Sequence, residues 1–179
     1  MHKLARLSDD ERKRIVADFL DQTFAGLDID PGFEARMRGA APELPDDPTP
    51  EQVDAWIELA ELVQDADFRA TIRRMSERQS ASRDAGEPLP DMRAVAALVT
   101  AKAAPELAPE TAQAQAVVAE ILPAFGAGVD RRELADRIAV GTDARAERYW
   151  QLLAIINGWP PVPTTVPKWE WLIAALRAG

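Results

Sequence analysis

The side chains best suited to holding a ligand lie near the end of the chain, in Tyr149-Trp150-Gln151-Leu152-Leu153-Ala154-Ile155-Ile156-Asn157-Gly158-Trp159. From Tyr149 to Ile156 this stretch is apolar on nearly every side, the pattern of a buried helix. Its uncharged polar residues are Gln151 and Asn157, and a buried amide needs backbone, water or a ligand as partner. On one reading Asn157 caps the helix end and Gln151 sits at an edge; on the other, both orient a bound molecule. Trp159 begins the segment Trp159-Pro160-Pro161-Val162-Pro163, where each residue before a proline is pushed out of the α conformation. Such a segment fixes an indole at low entropic cost, which suits a pocket wall and equally a plug over the core. Trp169 and Trp171 are separated by about 200° around a helix, so they face different ways. Trp169 aligns with Leu172, Ile173 and Leu176 and is the expected core residue. Trp171 aligns with Ala174, Ala175 and Ala178, a shallow stripe leaving room for another lobe, a second subunit or a small molecule.

Most catalytic chemistry lacks its residues. The chain has no cysteine, which removes disulfides, thiolate metal sites and cysteine nucleophiles. Its single histidine, His2, stands at the N-terminus, so a triad, a zinc-hydrolase site or a histidine base is not expected. There is no glycine-rich phosphate loop and no nucleophile-elbow serine. Asp54, Glu58 and Glu61 give one helix an acidic face, which reads as a solvated surface before it reads as a cation or metal site. Arg73, Arg74 and Arg78 are too few for a nucleic-acid footprint, and the net charge of −9 repels phosphate backbones. The expectation is a non-enzymatic protein without cofactor or metal.

The elements that must position these residues are helical, because apolar residues recur at helical spacing and no segment alternates like a strand. Ser8-Asp9-Asp10-Glu11 is a capping box ahead of a face of Ile15, Val16, Phe19, Leu20 and Phe24, closed by Gly26. Asp30-Pro31 and Thr49-Pro50 open the next two helices with proline in the first turn. Asp65 caps a fourth, with Phe68, Ile72 and Met75 inward. Further helices are expected over Asp91–Ala104, from Pro109 to a kink or stop at Pro123, from Asp130 to Gly141, from Thr142 or Asp143 to Asn157 with Gly158 as C′ glycine, and from Pro167 to Arg177. A weak repeat pairs Pro50-Glu51 with Pro109-Glu110; it is more simply common first-turn chemistry.

At 179 residues and 19.6 kDa the chain is one domain, expected as an all-α bundle of eight or nine helices. Two lobes around the central apolar helix are expected: an acidic 1–85, net −7, and a tryptophan-rich 86–179, net −2. The polar stretch from Ser76 ends in Asp84-Ala85-Gly86-Glu87-Pro88-Leu89-Pro90, the best candidate hinge. Met1–Asp10 has no apolar signal-peptide core and Ala94–Val99 is far short of a membrane span, so a cytoplasmic location is expected.

Several phrases together resemble a family. Leu7-Ser8-Asp9-Asp10-Glu11-Arg12-Lys13-Arg14-Ile15, Asp30-Pro31-Gly32-Phe33, Pro42-Glu43-Leu44-Pro45-Asp46-Asp47-Pro48-Thr49-Pro50-Glu51-Gln52-Val53-Asp54-Ala55-Trp56 and Asn157-Gly158-Trp159-Pro160-Pro161 resemble the ligand-sensing half of MerR-type transcriptional regulators of high-GC bacteria. The second half is loosely similar to the all-helical drug-binding domains of TipA-like members. The resemblance implies an effector sensor, a homodimer built through a linking helix, and DNA contact only through a winged-helix domain that nothing here matches. The chain then reads as an excised sensor domain or as a stand-alone relative. With no cysteine, binding is expected to be non-covalent. Trp150, Trp159 and Trp171 are the expected walls, with Tyr149 beside them and Gln151 and Asn157 orienting. Aromatic walls amid carboxylates suit hydrophobic, aromatic small molecules, cationic ones included. The alternatives are a stand-alone protein sequestering an antibiotic-like molecule and a helical protein-interaction or dimerisation module.

Overall fold

The computed structural model describes Leu4, residues 7–84 and residues 90–179. His2 and residues 85–89 of the expected hinge lie outside these. Among the described residues the architecture is all helical: α1 (Asp9–Phe24), α2 (Pro31–Gly39), α3 (Pro50–Gln64), α4 (Ala66–Asp84), α5 (Met92–Lys102), α6 (Ala112–Ile121), α7 (Arg131–Gly141), α8 (Ala144–Asn157) and α9 (Val166–Ala178). A 3-10 turn, Leu122–Phe125, follows α6. None of these helices is long and apolar enough to cross a membrane.

Local chemistry sets most boundaries. The Ser8 hydroxyl accepts from the Glu11 amide at 3.3 Å and the Glu11 carboxylate accepts from the Ser8 amide at 2.8 Å, closing the capping box of α1. Thr49 and Gln52 form the same box at the head of α3. Asp30, Asp65 and Asp130 accept amide hydrogen bonds from the third residue beyond them, at 2.7, 2.7 and 2.8 Å. α6 departs from expectation: Pro109 lies in a turn, and Thr111 is the N-cap. Pro50 is in the first turn of α3, so the Pro-Glu repeat does not occupy equivalent positions.

The chain divides into two units that do not follow its linear order. Unit 1 is Met1–Gly86 with Arg145–Pro163; unit 2 is Glu87–Ala144 with Thr164–Gly179. Residues 145–163 thus group with 1–86 and not with the rest of the 86–179 stretch expected as one lobe. Residues 145–163 return to unit 1 because α8 completes its core. Tyr149, Leu152, Leu153 and Ile156 pack with Val16, Phe19 and Leu20 of α1, Trp56, Leu59 and Val63 of α3, and Phe68 of α4. Trp56 is fully buried, and its indole N–H donates to the Leu4 carbonyl at 2.8 Å.

α4 runs to Asp84, through the stretch expected to begin a polar linker. Ser76 and Ser80 are buried and continue the line of Phe68 and Ile72 at four-residue spacing. Ser80 accepts from the Asp28 amide at 3.1 Å, fixing the chain after α1. Arg73 donates to the Thr23 and Ala25 carbonyls at 3.0 and 2.7 Å. α1 has no basic residue in its own last turn, so this guanidinium supplies the cation that its C-terminal dipole favours.

Unit 2 is built on α5, α6, α7 and α9, around Val95, Val99, Val118, Ile121, Leu134, Trp171, Leu172 and Leu176. Fully buried Ala114, Ala135 and Ala175 let these helices approach closely. Gln115 ties α6 to α9: its amide donates to the Ala175 carbonyl at 3.0 Å while its oxygen accepts from Arg131.

Candidate functional site

The end of α8 gives unit 1 its most defined surface feature. Gly158 takes a left-handed φ of 63°, a conformation that strains a residue with a Cβ. The Trp159 amide donates to the Ala154 carbonyl at 2.9 Å and the Gly158 amide to the Ile155 carbonyl at 3.3 Å, the two bonds of a Schellman motif. The backbone carrying Trp159 is therefore fixed, while its indole remains 44% exposed. At this exposure the indole is not enclosed in the core.

Asn157 takes the structural role. Its side-chain oxygen accepts from the Glu43 amide at 2.7 Å and its NH₂ donates to the Ala41 carbonyl at 3.1 Å. Gln52 of α3 donates to the Ile156 carbonyl at 3.1 Å. These bonds satisfy the last turn of α8 and hold the 41–43 segment to it. Asn157 thus positions the Trp159 turn, with both ends of its amide engaged. Gln151 is half-buried.

Tyr149 and Trp150 come together with two residues that the sequence did not single out as a site. The Tyr149 ring lies 5.6 Å from Trp150, nearly perpendicular at 86°, and 5.9 Å from Phe19. Phe19 stacks on Phe68 at 5.7 Å. Tyr149 is 2% exposed and its hydroxyl has no hydrogen-bond partner among the described residues. Burial pushes the phenol above its ordinary pKa, so it stays a neutral donor.

Trp171 is elsewhere: it belongs to the core of unit 2, at 5% exposure, and its indole N–H donates to the Leu107 carbonyl at 2.8 Å. Of the alanine stripe, Ala175 is buried while Ala174 and Ala178 are exposed; the loop after α5, through Ala104 and Leu107, packs on the core that holds Trp171. Trp169, expected as the core residue, is half-buried in the first turn of α9. Trp171 is therefore a packing residue, and the tryptophans of residues 145–163 in unit 1 are half-buried Trp150 and exposed Trp159.

Electrostatics around α8 come from partners distant in sequence. Arg148 makes a two-pronged pair with Glu58 of α3, both bonds at 2.7 Å. Arg145 bonds Asp67 at 2.9 Å, lies 3.7 Å from Asp65, and places its guanidinium 5.6 Å from the centre of the Phe68 ring. Asp54, Glu58 and Glu61 are exposed, but Glu58 is paired with Arg148, so this face is not simply solvated. Among the described residues no group of three or more acidic or histidine side chains is placed to hold a metal ion.

Hydrogen bonds from Arg148 hold the Glu58 carboxyl below its ordinary value of 4.5. A depressed carboxylate stabilises the fold above its unfolded pKa, and that contribution disappears as pH falls through the folded pKa. Both side chains are about half exposed, so the effect is about 0.2–1 kcal/mol. Glu58→Gln is expected to lower the urea midpoint at pH 7 and to bring the variant close to the native protein at pH 3. An undiminished difference at pH 3 would rule out ionisation as the cause.

Comparison of the chain with protein-family models, with curated proteins and with solved structures finds no match.

Proposed function

We propose that this chain is a non-catalytic ligand-binding module, the effector-sensing part of a MerR-type transcriptional regulator. Its ligand is a hydrophobic, aromatic small molecule held without a covalent bond. The observation that carries this reading is Trp159: a 44% exposed indole on a backbone locked by the Schellman turn and by Asn157. Large exposed aromatics on rigid backbone present contact area at little entropic cost, the economy that ligand walls use. Half-buried Trp150, on α8 of the same unit, supplies a second aromatic surface.

Titration of intrinsic tryptophan fluorescence with a panel of aromatic compounds tests the reading. Saturable quenching is expected, and Trp159→Ala should weaken it by about tenfold, the scale of one lost aromatic contact with its buried area. The thermal midpoint should fall less than for a fully buried tryptophan, because the indole is 44% exposed. A folded protein that responds to none of the panel would overturn the reading. Concentration-dependent self-association abolished by Trp159→Ala would assign the indole to a subunit interface instead.

A further inference from the structure

We propose that the Tyr149 hydroxyl is the hydrogen-bond donor that orients a neutral aromatic ligand through a carbonyl or ring-nitrogen acceptor. This rests on the ligand-binding reading above and names the chemistry of its ligand. Several buried polar side chains of unit 1 are satisfied, Trp56 on Leu4, Ser76 on Ile72 and Ser80 on Asp28, as is half-buried Asn157 on the 41–43 backbone. Thr23 and Tyr149 are exceptions, each with a buried hydroxyl lacking any partner among the described residues, and of the two Tyr149 is the one in contact with a half-buried ring, Trp150. A hydroxyl held that way costs free energy that an apolar side chain of the same shape would not. A ligand acceptor removes the cost, so the group favours the bound state.

The surroundings select the acceptor's class. Phe19, Phe68 and Tyr149 are buried and Trp150 is half-buried, so Trp150 is the ring of this cluster that reaches solvent. For a flat molecule to reach the hydroxyl, the Trp150 ring, 5.6 Å from that of Tyr149, must turn aside. A cation is disfavoured there. The cation position at the Phe68 ring is taken by Arg145, and Glu58, Asp65 and Asp67 are paired with Arg148 and Arg145. A neutral phenol donor then leaves hydrogen-bond acceptance as the ligand's recognisable feature.

Acetylnaphthalene and ethylnaphthalene form a matched pair that differs in one acceptor. With the full chain, acetylnaphthalene is expected to bind about three- to tenfold more tightly, the span of one neutral hydrogen bond. Tyr149→Phe should abolish that ratio while leaving ethylnaphthalene affinity unchanged, and should raise the ligand-free thermal midpoint. Equal affinities in the native protein would overturn the hydroxyl's role and leave the ligand-binding reading intact. Binding of neither compound would overturn both. A lowered thermal midpoint in Tyr149→Phe would show that the hydroxyl already serves the fold, and would also overturn the proposal.

Discussion

A fragment ending at residue 85 is expected not to fold cooperatively, although it contains four complete helices. The core it would need is closed by α8: Tyr149, Leu152, Leu153 and Ile156 are buried against α1, α3 and α4. Burial of a large apolar side chain contributes about 1.5–3 kcal/mol, so these four carry about 6–12 kcal/mol. That is comparable with the whole stability of a typical domain, about 5–15 kcal/mol. The Arg148 pair with Glu58 and the Arg145 pair with Asp67 go with them. Trp56 is the single tryptophan of such a fragment and reports directly on its core. Its emission should be that of a solvated indole, and urea should produce no sigmoidal transition. A blue-shifted emission with a cooperative transition would mean that residues 1–85 close their own core, and that the assignment of α8 to it is mistaken.

The failure to anticipate this division has a physical origin. Caps are local chemistry: a serine or aspartate three residues before the amide it accepts from is visible in the sequence, and so is a glycine placed for a left-handed turn. Ser8, Asp30, Thr49, Asp65, Asp130 and Gly158 all stand where their types predict. Apolar continuity likewise marks α8 as buried, but burial is a property of one helix and the partner is a property of two. Charge gave a partial signal. Arg145 and Arg148 are spaced to lie on one face of α8, and the acidic half of the chain is 1–85, where both find their carboxylates.

Composition misled at α4 and only half informed the site. A polar run such as Ser76–Asp84 resembles a linker, yet serines at four-residue spacing are compact enough to pack a helix close to its neighbour. Ser76 returns its hydroxyl to the Ile72 carbonyl at 2.9 Å and Ser80 receives the Asp28 amide, so neither is left unsatisfied. Tyr149 and Trp150 were legible as aromatic neighbours on α8. Phe19 and Phe68 were legible only as core residues, because their meeting with Tyr149 depends on tertiary contact. The orphaned hydroxyl had no sequence signal at all, since it is defined by what its surroundings lack.

Trp171→Ala is expected to destabilise unit 2 by about 3–5 kcal/mol, the cost of removing a buried tryptophan and leaving its cavity. On α9 the buried positions Val166, Trp171, Leu172, Ile173, Ala175 and Leu176 span a wide arc, and Trp171 lies at its edge. An edge position beside alanines looks open when the helix is considered alone. It is closed here by the Leu107 loop, which contributes both apolar contact and the carbonyl that takes the indole N–H. Trp171→Phe retains most of the ring packing but leaves that carbonyl without its donor, and should cost about 1–3 kcal/mol. Urea unfolding followed by far-ultraviolet circular dichroism measures both. A wall residue facing an empty binding site would lose far less, because its outer face has no packing to forfeit; Trp159→Ala supplies that comparison. Loss below about 1 kcal/mol in Trp171→Ala, equal to that of an exposed residue, would overturn its placement in the core. The contrast between the two tryptophans follows from covering: a loop satisfies and buries one indole, while the Schellman turn fixes the backbone of the other and leaves 44% of its surface exposed.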